Sequence, residues 1–276
     1  MTDVDVPFDT SGLNEPTTGV HSFRGGSLNS LRLLIKSGKV TTVSKLDLSK
    51  IIGDDRRKLD REVIASKGDL LFARAIILFE GETEEQSLPI FCQTRFGMSA
   101  HELGFNFIGV GGGNYFPFIW LAKSFAIPWY VFSDGEPQPV GNLDRQLRRA
   151  NEPAAKSCSN VFIIPGSNDY EKQLLDDGYL AAIETAIAAL FGPKKLDDYI
   201  ATLNGTPARS VGGKTVTRNY AGKRGREAAC LDLMRENKTR LAAPIAQAIA
   251  ALPAGEQIPK CLSSLFTRLA SDFGLK

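Results

Sequence analysis

Residues 75–86 read AIILFEGETEEQ, so an apolar run ends abruptly at Glu80 and a second acid, Glu84, follows four residues later. Residues 129–136, WYVFSDGE, repeat the arrangement with Asp134 and Glu136. Apolar runs without alternation are typical of strands buried on both faces of a parallel sheet. Because sites in such sheets form beyond the carboxyl ends of the strands, we expect the four carboxylates to lie together at one edge. Like charges so close repel unless a cation binds among them, so the sequence predicts a metal site there.

Strand and helix patterns alternate on both sides of these two segments. Two more strands are predicted at 105–110 and 160–164, and helical patterns lie between the strands at 84–96, 115–126 and 138–150. This alternation predicts the α/β class, with a parallel sheet, right-handed crossovers and flanking helices. Beyond residue 168 the pattern is helical throughout, at 169–176, 179–191, 194–203, 224–236, 238–251 and 258–272.

The predicted organisation has four parts. Residues 1–26 are rich in Pro, Thr, Ser, Gly and Asp without an apolar period, and we expect them to be disordered. Apolar residues such as Leu28, Leu31 and Leu34 recur at helical spacing and predict a helical lead-in over 27–73. The sheet domain should span 74–176, and a helical region over 177–276 should pack on it.

Composition excludes several classes of protein. Hydrophobic residues make up 43% and charged residues 23%, a balance typical of globular proteins. No apolar run approaches the ~20 residues of a membrane helix, and the N-terminus does not resemble a signal peptide. The four cysteines are far apart in sequence and form no CxxC motif, which is typical of reduced thiols. We therefore expect a cytoplasmic location and no membrane partner.

The local pattern around Glu80 predicts which acids face the metal site and which face solvent. Thr83 and Gln86 fit a capping box, which predicts that a helix begins at Glu84 with Thr83 as its N-cap. The Gly81 turn would then bring Glu80 and Glu84 to the same point. The other two acids, Glu82 and Glu85, should face solvent.

The second acid pair strengthens the prediction of a metal site. Side chains at positions i and i+2 of Asp134-Gly135-Glu136 can approach one ion, because Gly135 permits a tight turn. Carboxylate oxygens favour Mg²⁺ or Mn²⁺. A further ligand, Glu171, is predicted at a helix start after the strand at 160–164, next to the N-cap candidate Asp169. The alternative is that the acids only complement helix dipoles.

The two acidic motifs, Glu80-Gly81-Glu82-Thr83-Glu84 and Asp134-Gly135-Glu136, resemble in type and order those of the Toprim domain. This domain is shared by topoisomerases, bacterial primases, recombination mediators and the OLD (overcoming lysogenization defect) nucleases. The Glu-Gly-x-Thr-Glu form, Glu171 and the helical C-terminal region look most like the Toprim-containing C-terminal region of OLD nucleases, over about residues 70–250. The usual second motif is Asp-x-Asp, whereas Glu136 here reaches one methylene further.

The resemblance implies a two-metal DNA endonuclease with Mg²⁺ or Mn²⁺ as cofactor. Its catalytic residues would be Glu80, Glu84, Asp134, Glu136 and Lys238, and the two ions would be held by the four acids with Glu171. Lys238 lies in ENKTRLAAP (236–244), which resembles the region that supplies a basic residue in the family. OLD proteins also carry an ATPase domain. Since the chain has no Walker motif, we expect it to be the C-terminal part of a longer protein with that domain as partner.

Basic residues predict where DNA would bind. Residues 214–226 contain no Asp or Glu, and a second group of arginines lies at 145–149. We expect these side chains to contact phosphates with little sequence specificity, because no base-reading module is recognisable. The predicted contacts are Lys214, Arg218, Lys223, Arg224, Arg226, Arg145 and Arg148.

Two glycine-rich segments have other interpretations. GGKT at 212–215 is not a P-loop, because Ala208 occupies the position of the first glycine and no apolar strand precedes it. GVGGGN at 109–114 has Asn114 in the place of the third glycine of a dinucleotide fingerprint. We expect a tight turn beside the acidic edge, where backbone amides can contact a DNA phosphate.

The predicted Toprim-like sheet is also compatible with other functions. One is primase or topoisomerase chemistry, although none of the six tyrosines is marked as a nucleophile. Another is a non-catalytic DNA-binding module that holds one structural Mg²⁺. The amphipathic tail at 254–276, with Leu262, Leu265, Phe266 and Leu269, is either core or the contact of a homo-oligomer.

Overall fold

In a computed structural model of the chain, the described residues are 28–37, 40–61, 63, 68–208, 215–222 and 224–276. The disorder predicted for 1–26 lies outside them. The N-terminal part of the described chain begins with an antiparallel hairpin of β1 (Arg32–Ser37) and β2 (Val40–Lys45), followed by the short helix α1 (Gly53–Leu59).

The helical lead-in predicted over 27–73 is therefore wrong in its first half. Residues 40–43 are Val-Thr-Thr-Val, and β-branched side chains favour a strand over a helix. Leu34 lies opposite Val43 in the hairpin, and their exposed fractions are 64% and 57%. The apolar spacing that suggested one buried helical face thus does not mark a buried face.

The main sheet has four parallel strands in the order β4-β3-β5-β6. Its strands are β3 (Ala75–Phe79), β4 (Phe105–Gly109), β5 (Trp129–Ser133) and β6 (Val161–Ile163). The connecting helices are α2 (Glu82–Phe96), α3 (Ala100–Leu103), α4 (Phe116–Ser124) and α5 (Pro137–Arg149). Ile77 in β3 is in register with Phe107 of β4 and Tyr130 of β5, so β3 is an inner strand. The predicted α/β class with a parallel sheet is confirmed.

Both faces of the sheet are covered, which explains why its strands are continuous apolar runs. Phe79 packs on one face with C-terminal residues such as Leu241. Leu78 packs on the other face with Phe118 of α4 and with Leu59 of α1. The N-terminal segment thus shares a core with the sheet.

The C-terminal region is helical, as predicted. Its helices are α6 (Tyr170–Asp176), α7 (Leu180–Phe191), α8 (Lys195–Leu203), α9 (Gly225–Glu236), α10 (Lys238–Ala250) and α11 (Ser263–Phe273). Helix α10 packs against α2 and α7. The amphipathic tail is core, because Leu265, Phe266 and Leu269 are buried together with residues of the sheet.

Two further expectations concern the whole chain. All four cysteines are free thiols. In the ranges that the structure describes, no helix has both the length and the apolar character to cross a membrane.

Candidate active site at the carboxyl edge of the sheet

Helix α2 begins immediately after the end of β3, and its start differs from the predicted capping box. Gly81 is the N-cap, Glu82 is the first helical residue, and no side chain caps the helix. Thr83 is buried, and its hydroxyl donates to Oε1 of Glu171 at 2.6 Å. The prediction of Thr83 as N-cap is wrong because this acceptor lies 88 residues away in the chain, where a local pattern gives no sign of it.

Glu84 is brought to the acidic edge by the first turn of α2. Its side chain is buried, with 3% of its surface exposed. An added Cβ at Gly81 would lie 2.4 Å from Oε2 of Glu84, so the carboxylate occupies the space that a larger residue at 81 would fill. As predicted, the neighbouring acids are exposed: Glu82 and Glu85.

The turn after β5 is pinned by the chain that follows β6. The amide of Gly135 donates to the carbonyl of Asn168 at 2.9 Å. An added Cβ at Gly135 would lie 2.0 Å from the carbonyl oxygen of Ile164, so only glycine fits. Within the described residues, the buried Oδ1 of Asp134 has no hydrogen-bond partner. Glu136 is exposed at the N-cap of α5, without a capping bond of its own.

Glu171 and Lys238 meet at the same edge. Glu171 is buried in the first turn of α6, whose N-cap Asp169 accepts the amide of Lys172 at 2.9 Å. The Nζ atom of Lys238 lies 3.0 Å from Oε1 of Glu171. Asp169 also accepts two hydrogen bonds from the guanidinium of Arg235, at 2.9 and 2.6 Å. The ligand candidate and the cation candidate predicted from the sequence are thus in direct contact.

The pKa values of the acids show that negative charge is concentrated here. Burial, and then the charges of Asp134 and Glu171, raise the pKa of Glu84 to about 8. Burial, and then Glu171 and Asp169, raise the pKa of Asp134 to about 7. Burial also raises the pKa of Glu80, although Lys238 and Lys58 oppose the shift.

The pKa of Lys238 is also raised, which in a lysine favours the charged form. Burial disfavours its positive charge, but Glu171 and then Glu84 outweigh burial, so the pKa of Lys238 is raised. The ammonium group therefore keeps its proton and partly neutralises the acids around it.

The oxygen donors at this edge have the chemistry that a divalent cation prefers, but their side chains do not surround one position. Across the described ranges, no three His, Cys, Asp or Glu side chains are arranged so as to hold one ion. The buried Oδ1 of Asp134 nevertheless has no donor among the described residues, and both burial and neighbouring acids disfavour the charged forms of Glu84 and Asp134. Hard oxygen donors of this kind suit Mg²⁺ or Mn²⁺.

The glycine turn at 109–114 lies beside the acids, as predicted. Gly111, Gly112 and Gly113 have φ angles of 52°, 61° and 66°, in the left-handed region that favours glycine. An added Cβ at Gly113 would lie 3.4 Å from Oε2 of Glu80. The sequence prediction missed Lys58, which donates to the carbonyls of Val110 and Gly111 from helix α1. A charged residue in a charged segment, 52 positions before Val110, gave no signal of this contact.

The predicted DNA contacts differ in how free their charges are. Arg218 pairs with Glu236 at 3.0 Å, and Arg226 pairs with Glu184 and Asp197, each at 2.6 Å. These two guanidinium groups are therefore already neutralised within the chain. The side chains of Arg145, Arg148 and Arg224 are exposed, whereas Lys214 and Lys223 lie outside the described residues.

Comparisons with known proteins agree with this architecture. Residues 71–135 match the family model "Overcoming lysogenization defect protein-like, TOPRIM domain". The C-terminal region of the Xanthomonas campestris pv. campestris OLD protein, in a structure phased with platinum, is similar with a TM-score of 0.54 and 18% identity, over 75% of this chain and 97% of that chain. The C-terminal region of the Burkholderia pseudomallei OLD protein gives a TM-score of 0.50 and 19% identity, over 73% and 99%.

These likenesses establish the fold and the kind of domain. At such identities a structural match shows the architecture, and the family match covers the segment with Glu80, Glu84 and Asp134. No match was found among curated protein sequences. The chain thus contains an OLD-like Toprim domain, followed by a helical C-terminal region.

Proposed function

From an OLD-like Toprim domain at residues 71–135, we propose that the chain is the catalytic part of a metal-dependent DNA endonuclease. The observation that carries the proposal is the cluster of Glu84, Asp134 and Glu171, in which one buried Asp134 oxygen has no partner among the described residues. Structural carboxylates are normally paired, so this arrangement favours a cation site over a purely structural role.

Five residues would hold two Mg²⁺ or Mn²⁺ ions: Glu80, Glu84, Asp134, Glu136 and Glu171. When bound, the ions supply an activated water and stabilise the leaving 3′ oxygen. The pKa values of Glu84 and Asp134 are raised to about 8 and about 7, first by burial and then by neighbouring acids. Since a bound cation would offset these costs of ionisation, we expect the two acids to contribute most to ion affinity. Glu136 is exposed and longer than the usual aspartate, so we expect it to contribute least.

Lys238 would stabilise the negative charge that develops on the phosphate. Its ammonium is held by Glu171, which is itself fixed by the hydroxyl of Thr83. A charge fixed before the reaction stabilises a transition state without reorganisation, especially in a partly buried site.

DNA would be held by exposed basic residues. Arg145, Arg148 and Arg224 are the described candidates, together with Lys214 and Lys223. Arg218 and Arg226 would first have to leave their acidic partners, so we expect them to contribute less. Such contacts are to phosphates and confer little sequence specificity.

The topoisomerase alternative has little support, because a topoisomerase needs an accessible nucleophilic tyrosine. All six tyrosines are buried, with exposed fractions from 1% to 8%: Tyr115, Tyr130, Tyr170, Tyr179, Tyr199 and Tyr220. The non-catalytic alternative predicts that the protein binds DNA without cleaving it, whereas the nuclease proposal predicts cleavage.

We also propose that the chain works in the cytoplasm next to an ATPase region of the same protein. The support is that the similar structures are C-terminal regions of OLD proteins. Several exposed apolar side chains of the N-terminal segment, among them Leu34, Val43 and Ile52, would suit such a contact.

The decisive experiment is nicking of supercoiled plasmid with Mg²⁺ or Mn²⁺. Glu80→Ala and Asp134→Ala should abolish cleavage and largely retain DNA binding, and EDTA should abolish cleavage by the wild type. Glu85→Ala is the matched control, because Glu85 is an exposed acid in the first turn of α2, close in sequence to Glu80. Undiminished cleavage by both ligand variants would contradict the proposal, and binding without cleavage by the wild type would favour the non-catalytic module.

A further inference from the structure

The carbonyl groups of the glycine turn are held by side chains from two helices. Lys58 of α1 donates to the carbonyl of Val110 and, at 3.2 Å, to that of Gly111. Asn142 of α5 donates to the carbonyl of Gly113 at 2.9 Å. These carbonyls are therefore oriented by fixed donors, which also fixes the orientation of the peptide groups that contain them.

The far end of the turn is attached to the same helix α1. The side chain of Asn114 donates to Oδ1 of Asp55 at 3.1 Å, and Arg149 pairs with the other oxygen of Asp55. The guanidinium of Arg149 lies 4.0 Å from the centre of the Phe116 ring, just beyond the turn. Helix α1 thus holds both ends of the turn in place.

Unlike the carbonyl groups, the amide groups of the glycines in the turn have no hydrogen-bond partner among the described residues. In the described part of the chain, the backbone N–H groups of Gly111, Gly112 and Gly113 meet no acceptor. Gly111 and Gly112 are exposed, but Gly113 is buried. A buried amide without an acceptor is rare in folded proteins, because it loses its hydrogen bonds to water. Successive free amides in a turn are a common binding site for anions.

The charges around the turn make an anion acceptable despite the nearby acid. Glu80 lies beside Gly113, and its charge is opposed by both Lys58 and Lys238. Lys58 also lies 5.8 Å from the centre of the Phe118 ring, which restricts where its ammonium can go.

We propose that the amides of Gly111–Gly113 bind a phosphate of the DNA backbone next to the cleaved bond, and that Lys58 is the positioning residue that orients the amides of Gly111 and Gly112 through the carbonyls of Val110 and Gly111. The proposal rests on the proposed function in taking nucleic acid as the source of the phosphate and in placing that phosphate next to the cleaved bond, whereas the binding of phosphate by the turn is tested separately. It assigns a role to helix α1, which lies outside the segment matched by the Toprim family.

The test is performed with the whole chain, without divalent metal, so that binding is separated from cleavage. In protein labelled with ¹⁵N-glycine, a short single-stranded oligonucleotide should shift the amide resonances of Gly111, Gly112 and Gly113. The same oligonucleotide with neutral methylphosphonate linkages should not shift them. Absence of these shifts while other resonances saturate would overturn the proposal.

Variants then test the role of Lys58. Lys58→Met should weaken oligonucleotide binding about tenfold, the loss expected for one charge-assisted contact network, and Lys58→Arg should restore most of the affinity. Lys50→Met is the matched control, since Lys50 is an exposed lysine of the same segment that lies over Trp120 instead of the turn. Equal affinities of the Lys58→Met and Lys50→Met variants would exclude the positioning role.

The outcome is independent of the nuclease proposal. Shifted glycine resonances in a protein that never cleaves DNA would support the phosphate site and contradict the nuclease. If the protein cleaves DNA but its glycine resonances stay unshifted, the nuclease proposal is supported and the phosphate site is contradicted. Circular dichroism of Lys58→Met checks its folding, and Asn142→Ala provides a second way to release the turn, from α5.

Discussion

The Nζ atom of Lys238 lies 3.0 Å from Oε1 of Glu171, and the same oxygen accepts the Thr83 hydroxyl at 2.6 Å. One carboxylate thereby connects α10, α6 and α2. Because the group is buried, loss of either partner would leave charge or hydrogen-bonding capacity unsatisfied. The helical C-terminal region is therefore part of the site and not only a support for the sheet.

Removal of the Lys238 charge should affect turnover more than binding. We expect Lys238→Met to lower kcat for plasmid nicking about 100-fold or more, the usual effect of losing one preorganised donor at a reacting oxygen. Lys238→Arg should recover part of the rate. Lys172→Met is the control, because Lys172 lies on α6 and pairs with Asp176 of the same helix. A wild-type kcat for Lys238→Met would refute the catalytic role of the lysine.

The Thr83 hydroxyl should matter through the position of Glu171. We expect Thr83→Val, which keeps the shape, to lower the free energy of unfolding by about 1–2 kcal/mol, because a buried carboxylate loses its donor. The measurement is urea unfolding without metal. The control is Thr94→Val, because the Thr94 hydroxyl lies on the same helix and donates to the carbonyl of Ile90 four residues earlier. This variant should change stability by less than about 0.5 kcal/mol. If both variants lose the same free energy of unfolding, the hydrogen bond to Glu171 contributes no more stability than the one to the Ile90 carbonyl.

Stability without metal should fall as the pH rises. The pKa values of Glu84 and Asp134 are raised in the folded protein to about 8 and about 7, from ordinary values of 4.5 and 3.8. The folded state therefore binds more protons than the unfolded state between these limits. The stability that these two groups contribute is fully present below about pH 4 and is lost as the pH rises through about 7 and about 8.

Thermal unfolding in EDTA between pH 5 and pH 8.5 measures this effect. Tm should decrease with pH, by roughly 2–4 °C for each kcal/mol lost. Glu84→Gln should flatten the profile, whereas Glu85→Gln should leave it unchanged. Added Mg²⁺ should raise Tm more at high pH, since the ion then binds charged carboxylates. A Tm that rises with pH over this range would contradict the assignment.

The turn between Asp134 and Glu136 should tolerate only glycine. An added Cβ at Gly135 would overlap the carbonyl of Ile164, so we expect Gly135→Ala to destabilise the protein by about 2 kcal/mol or more and to displace Asp134. Gly141→Ala is the contrasting control, because Gly141 lies within α5 with open space around it. That variant should be neutral or more stable by up to about 1 kcal/mol. Urea unfolding of both variants tests the prediction.

The parts of the fold that were predictable are those specified by local pattern. Continuous apolar runs gave β3 and β5, and the acids that follow them lie at the expected edge. The parts that were missed depend on distant contacts. Thr83 was assigned to a helix cap because its acceptor on α6 is invisible to local reasoning.

The same limitation applies to the charged residues. Arg226 was expected to face DNA, but its partners Glu184 and Asp197 come from α7 and α8. The hairpin at the N-terminus was missed for a different reason, namely that Leu28, Leu31 and Leu34 match a helical period by chance. Their side chains are not equivalent, since Leu28 is buried and Leu34 is exposed.

The contact between α2 and α10 has a consequence for biosynthesis. Glu82 and Thr239, which are hydrogen-bonded at 3.1 Å, are separated by 157 positions, so the acids emerge from the ribosome long before the lysine that neutralises them. A nascent chain ending before Lys238 has the strands and the carboxylates but lacks both the cation and the helix that covers α2. Premature termination in this interval therefore yields a chain that lacks Lys238 and the helix that packs on α2.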